Sequence, residues 1–146
     1  MEYELSIMIS GPGEDPEYRS HWGFFIQEPT ELFGDLLHVK VIDLDRLWYQ
    51  FEPCTGTSIA TAKALGMVKI GNLSAKQRQE AIRTISSEPA PKDGRKRCQD
   101  WVFDTLLSLE INELVSSGTC QFWIEMVGKS AKAVQEAAGT EWTNFS

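Results

Sequence analysis

The apolar residues of this chain change their period near residue 70, and few folds accommodate that change. Before it they alternate. Tyr3–Ser10 (YELSIMIS) places apolar side chains at 3, 5, 7 and 9, with Met8 the main exception, and predicts a strand. His21–Gln27 (HWGFFIQ) is aromatic and branched and predicts a second. Leu36–Asp43 (LLHVKVID) alternates as a third, and Arg46–Glu52 (RLWYQFE) continues as a fourth. Met67–Ile70 predicts a last strand, after a short helical turn at Ala60–Leu65. The loop GPGEDPEYRS separates the first two strands, and the turn EPTELFGD joins the second and third as an antiparallel hairpin.

After residue 73 the spacing becomes helical. Ser74 is an N-cap for AKQRQEAIRTI, whose apolar positions 75, 82 and 85 give one thin buried stripe. The proline-rich loop SSEPAPKDG follows, then a helix from Cys98 to about Val115, ended near Gly118. Residues 120–138 predict one more helix with Gly128 weakening its middle, and the tail GTEWTNFS is expected to fray or lie on the surface. Strands first and helices after is the α+β order. It predicts a mostly antiparallel sheet of four or five strands with about three helices packed on it.

At 146 residues the chain is expected to form a single domain, residues 1–146, with a real core. A net charge of −7 argues against a nucleic-acid partner, because phosphate binding needs a basic face. The one basic run, Arg95-Lys96-Arg97, is too short to reverse that. No stretch reaches the roughly 18 apolar residues of a membrane span. MEYELSIMIS carries acids where a signal peptide needs cations, so a cytoplasmic location is expected. Cys54, Cys98 and Cys120 form no CxxC pair, and with two histidines there is no metal-finger spacing. No disulfide, cofactor or metal is expected. The loop GPGED lacks the end of a phosphate loop, and Asp43, Asp45 and Glu52 form only a weak divalent-ion candidate.

The chemistry-bearing stretch is RKRCQDWVFDTLLSLE, residues 95–110. On a helix, positions 98, 102, 106, 109 and 113 share a face and read Cys, Val, Leu, Leu, Glu. Cys98 therefore heads the buried stripe. Free amides and the positive dipole end of a first helical turn favour thiolate over thiol, and Lys96 and Arg97 are expected to add to this. Those amides could also serve a tetrahedral oxyanion. Asp100 is expected to point about 160° to 200° away from the thiol, with little effect on it. The plainer alternative makes Cys98 a small core residue beside coincidental cations.

His21 opens the second predicted strand and His38 lies within the third, so hairpin pairing can bring the two rings together. Thiol, base and orienting group form the set that cysteine hydrolases share. The order of His21-Trp22 on an apolar strand, His38 on the next, and far downstream a helix opened by Cys98 within CQDWV resembles the circularly permuted papain-like proteins. These are the NlpC/P60 and lecithin:retinol acyltransferase superclass. More narrowly, it resembles small fungal proteins in which an HW strand precedes a CxxWV helix. The resemblance spans roughly residues 3 to 115. It implies a permuted papain-like fold with Cys98 as nucleophile, His21 as general base and His38 as the group that orients it.

The resemblance further implies a cysteine-dependent hydrolase or acyl/peptidyl transferase acting on an amide, ester or thioester. Its partner would be a small-molecule or peptide substrate with a carbonyl electrophile. Trp22, Trp48, Tyr49 and Trp101 are candidate substrate-binding walls. The alternative is a catalytically inactive papain-like fold that binds a protein or a ligand. Cys54, in the glycine-containing EPCTGTS, and Cys120 are read as bystanders.

Overall fold

The computed structural model describes residues 2–60 and 62–145. Five strands come first: β1 (Glu2–Ser10), β2 (His21–Gln27), β3 (Phe33–Asp43), β4 (Trp48–Ser58) and β5 (Gly66–Ser74). Four helices follow: α1 (Ala75–Ser87), α2 (Cys98–Ile111), α3 (Thr119–Met126) and α4 (Ala131–Ala138). A 3-10 turn (Gly139–Glu141) then leads into β6 (Trp142–Asn144). Among the described residues the strands form one antiparallel sheet in the order β4-β3-β2-β1-β5-β6. The α+β class read from the sequence is the class observed. No helix among the described residues is long and apolar enough to cross a membrane.

The alternation of β2 sorts its side chains onto two faces. Trp22, Phe24 and Ile26 join Ile7, Val39 and Val68 in the main core, which the helices cover. Phe25 and Met8 pack with Leu36 and Met67 in a smaller cluster on the opposite face. Helix α2 supplies Trp101, Val102, Leu106 and Leu109 to the main core, each 0–1 % exposed. The Trp101 ring lies edge-on to Phe24 at 5.8 Å and is tilted against Phe51 at 6.0 Å, while its indole N–H donates to the Glu88 carbonyl at 3.1 Å.

Several boundaries differ from the expectation, each for a local reason. β4 runs on through EPCTGTS to Ser58 because it is an edge strand, where Pro53 removes no needed donor. That puts Cys54 on a strand and not in a loop. Thr61, within the expected turn at Ala60–Leu65, lies outside the described residues; its neighbours form turns. α1 starts as expected, with the Ser74 side chain accepting from the Gln77 amide and Gln77 reaching back to the Ser74 amide. α2 stops at Ile111, well before Gly118. Glu113 takes a left-handed φ of 59°, Leu114 N–H donates to the Leu109 carbonyl and Glu113 N–H to that of Glu110. This is a Schellman ending built without glycine. The helix expected over 120–138 is two helices, divided where Gly128 adopts φ 84°. The tail is not frayed at Trp142–Asn144, which ladders onto Gly66–Val68 of β5.

Trp101→Ala is expected to cost about 3–5 kcal/mol in urea denaturation, as for a fully buried large aromatic. Trp48, 36 % exposed with the Arg46 guanidinium 5.0 Å above its ring, is expected to lose less than about 1 kcal/mol as alanine.

Candidate active site

The β2–β3 ladder covers only Phe24–Ile26 on β2, paired with Leu37, Leu36 and Asp35. His21 and Trp22 continue the strand beyond it, laddered to Ser10 and Ile9 of β1. The head of α2 meets β2 at this end. The Cys98 sulfur lies 3.9 Å from the Ser20 carbonyl, and the Trp22 amide faces it closely enough to favour its thiolate. Both peptide groups flanking His21 therefore face the thiol. Gln99, fully buried, clamps the junction: its Nε2 donates to the same Ser20 carbonyl at 2.9 Å, and its Oε1 accepts the Gly128 amide at 2.8 Å.

His21 and His38 meet through Nε2 and Nδ1 at 2.7 Å, their rings edge to face with centroids 5.0 Å apart. His38 is next to Gly23, where an added Cβ would fall 2.9 Å from the His38 Cβ; glycine there lets the second imidazole close onto the strand. On its far side His38 Nε2 lies 3.0 Å from Glu52 Oε1, its cross-strand partner on β4. The imidazole chain lies on the sheet face away from the helices, while the Cys98 sulfur reaches the backbone edge of β2 from the helix side.

The chain fixes its own tautomers when both rings are neutral. A carboxylate only accepts, so His38 carries its proton on Nε2 and presents a lone pair at Nδ1. His21 must then donate from Nε2, which leaves the lone pair of His21 Nδ1 free to take a proton. Burial, then the neighbouring His38, lower the His21 pKa to about 4, so the ring is neutral at physiological pH. The hydrogen bond from Lys40 leads the effects that hold Glu52 at about 2, with bonds from His38 and Cys54 adding to it. Lys40 Nζ sits 2.6 Å from Glu52 Oε2.

Cys98 departs from the expectation. Burial pushes its thiol pKa up, and the amides of Trp22 and Gln99, which favour thiolate, only partly offset it. The two cations expected to help are committed elsewhere. Lys96 Nζ pairs with Asp104 at 2.7 Å, and Arg97 Nη1 donates to the Glu17 carbonyl at 3.0 Å. Asp100 is not harmless: its carboxylate accepts the Arg97 amide at 2.9 Å and adds a smaller upward push on the thiol.

The aromatic walls need correcting too. Trp22 and Trp101 are 0 % and 1 % exposed and belong to the core, so they line no open surface. Tyr49 is 8 % exposed, its hydroxyl pKa raised by burial first and by the neighbouring Cys98 second. Trp48 is at the surface under Arg46. Cys120 is buried, its amide donating to Glu110 at 2.9 Å. The acidic trio is not assembled. Asp43 pairs opposite Trp48 and binds Arg46, while Glu52 lies about 13 Å further along β4. Glu52 as the orienter of His38 was not read from the sequence, nor was Cys54 beside it: Cys54 Sγ lies 3.5 Å from Glu52 Oε1 and 3.8 Å from His38 Nε2.

Fold and site together define an α+β protein with a buried thiol at a helix head on one side of β2 and a strand-borne imidazole–imidazole–carboxylate chain on the other; the thiol hydrogen-bonds to the Ser20 carbonyl and to neither ring. Residues 7–116 match the model of a family described as "Family of unknown function (DUF6540)", and the chain belongs to that family. The matched span holds all of His21, His38, Glu52, Cys54 and Cys98 and leaves out α3, α4 and β6. Neither a curated protein nor a solved structure matches the chain.

The His21 shift makes stability depend on pH. A ring whose folded pKa lies near 4 binds its proton more weakly than the unfolded chain does, near 6.5. Stability is then full above pH 6.5 and falls as the pH drops toward 4, by up to about 3 kcal/mol. Urea midpoints measured from pH 7.5 to 4 are expected to fall for the wild type and to flatten over that window in His21→Gln.

Proposed function

We propose that the protein is a cysteine-dependent hydrolase or acyltransferase of permuted papain-like architecture, with Cys98 as nucleophile. One observation carries the reading: the His21–His38–Glu52 chain ends at His21, whose flanking peptide groups both face the Cys98 sulfur. It supplies a neutral base with a lone pair free, oriented through two hydrogen bonds by a carboxylate that stays ionised. All three cysteines are free thiols, which suits a reducing, cytoplasmic setting.

The chemistry begins from thiol and imidazole, not from an ion pair. As Cys98 Sγ bonds to the substrate carbonyl carbon, its proton has to pass round the start of β2 to His21 Nδ1, directly after a shift of the ring or through one bridging water. The positive charge that forms on His21 is shared through His38 toward Glu52. Collapse of the tetrahedral adduct moves that proton to the leaving oxygen, nitrogen or sulfur and leaves a thioester on Cys98. Water or an amine then attacks the thioester, giving up its proton to His21 Nδ1, which returns it to the departing sulfur. Amides at the first turn of α2 would serve as donors for the oxyanion. Substrates are amides, esters or thioesters of small molecules or peptides.

The 9 % exposure of Cys98 favours a second reading, a non-catalytic binding module in which this thiol is core. Acylation by p-nitrophenyl acetate, followed by intact mass and peptide mapping, separates the two. The enzyme reading expects an acetyl group on Cys98, absent in Cys98→Ala and formed about 10²-fold or more slowly in His21→Ala. Both variants are expected to stay within about 2 kcal/mol of wild-type stability. Equal acylation of Cys98 in His21→Ala would remove the base, and with it the enzyme.

A further inference from the structure

We propose that His38, Glu52 and Cys54 form a binding site for a zinc-class divalent ion, and that its occupancy silences His21 as a base. The second half rests on the reading above; the first does not.

The three side chains point from one sheet face. His38 and Glu52 are opposite each other across the β3–β4 ladder, and Cys54, two residues beyond Glu52, stands opposite Leu36 on the same side. Their donor atoms already surround a point. Nε2–Oε1, Oε1–Sγ and Sγ–Nε2 measure 3.0, 3.5 and 3.8 Å. A circle through three such atoms has a radius of about 2.0 Å, close to the zinc bond lengths of about 2.0–2.3 Å for nitrogen, oxygen and sulfur. An ion a little above the plane would meet all three without backbone movement, its fourth position left to water. The set is also right in kind: imidazole, carboxylate and thiolate suit a borderline-soft ion, and their summed charge of −2 matches it. Lys40 holds the second oxygen of Glu52 and so orients the carboxylate from behind. All three residues are partly exposed, which leaves a path for the ion.

Binding is written as Zn²⁺ plus the Cys54 thiol giving a zinc thiolate and one released proton. At His38 the metal takes Nε2, the atom that otherwise donates to Glu52. The His38 proton must move to Nδ1, where it points at His21. His21 Nε2 then accepts where it formerly donated, and the His21 proton moves to Nδ1. The lone pair that the thiol needs is gone, with no change in the net proton count of the two rings.

Full-length protein, reduced and stripped with chelator, is titrated with Zn²⁺ by calorimetry and with Co²⁺ in the near ultraviolet. The site expects one ion per chain, a thiolate-to-cobalt charge-transfer band, and at least tenfold weaker binding with no band in Cys54→Ser, whereas Cys98→Ser keeps both. Zinc bound equally by Cys54→Ser, or a band that follows Cys98, overturns the site. Zinc is also expected to slow acylation of Cys98 at least tenfold in the wild type and to leave Cys54→Ser unaffected. An unchanged rate in zinc-loaded wild type overturns the switch and leaves the enzyme standing. A Cys98 that never acylates, with the cobalt band intact, removes the enzyme and with it the switch, and leaves the metal site standing.

Discussion

The seating of Trp101 between Phe24 and Phe51 is the contact on which the site depends. It buries one of the largest side chains in the molecule at the first turn of α2, three residues after Cys98. The Trp22–Trp123 contact, edge-on at 5.0 Å, holds the neighbouring turn of β2 against α3 in the same layer. With the helix so anchored, the thiol has little freedom: Gln99 ties the helix head to the Ser20 carbonyl and to the α3–α4 turn at once. A buried amide bonded at both its nitrogen and its oxygen fixes direction as well as position, since any shift strands a desolvated polar group. The apolar seat sets where the helix lies, and Gln99 sets which way its first residue faces.

That anchoring decides the electrostatics against the simplest expectation. A helix N-terminus stabilises an anion by about 0.3–1 kcal/mol in ordinary settings. Removing a thiolate from water costs more unless several donors replace the lost hydration. At Cys98 two amides replace part of it, and the nearby cations have partners of their own. The resting state is a thiol. Any reaction at this sulfur has to start by moving a proton.

The chain's order of elements was legible because periodicity records which face is buried, and β2, α1 and the start of α2 fell where alternation and caps placed them. What was not legible turned on residues that work against their usual habits. Glu113 in a left-handed conformation ends α2, where a reader looks for glycine. β4 crosses Pro53 and Gly56, two residues that ordinarily punctuate. The site suffered most from register. A hairpin closed evenly at Asp43 and Trp48 would set His38 against Pro53, and Glu52 would be on the other face. A one-residue shift between Val41 and Asp43 brings Glu52 opposite His38 instead, and the pairing stays shifted as far as Leu36 and Cys54, where a second irregularity restores it. Nothing in residues 38–54 announces that irregularity. The two histidines could be paired from sequence, since each lies on a strand of the same hairpin; their carboxylate could not.

One atom, His38 Nε2, gives the site its logic. It can hold a proton for Glu52 or, on the proposal made above, a metal ion, and never both. The two states of His21 then differ only in which ring nitrogen bears hydrogen, transmitted over a single hydrogen bond of 2.7 Å. No conformational change is required, and the coupling cannot be separated from the binding. Linkage makes it reciprocal. On that proposal, anything that holds the His21 Nδ1 lone pair as an acceptor favours the proton on His38 Nε2 and so weakens the ion.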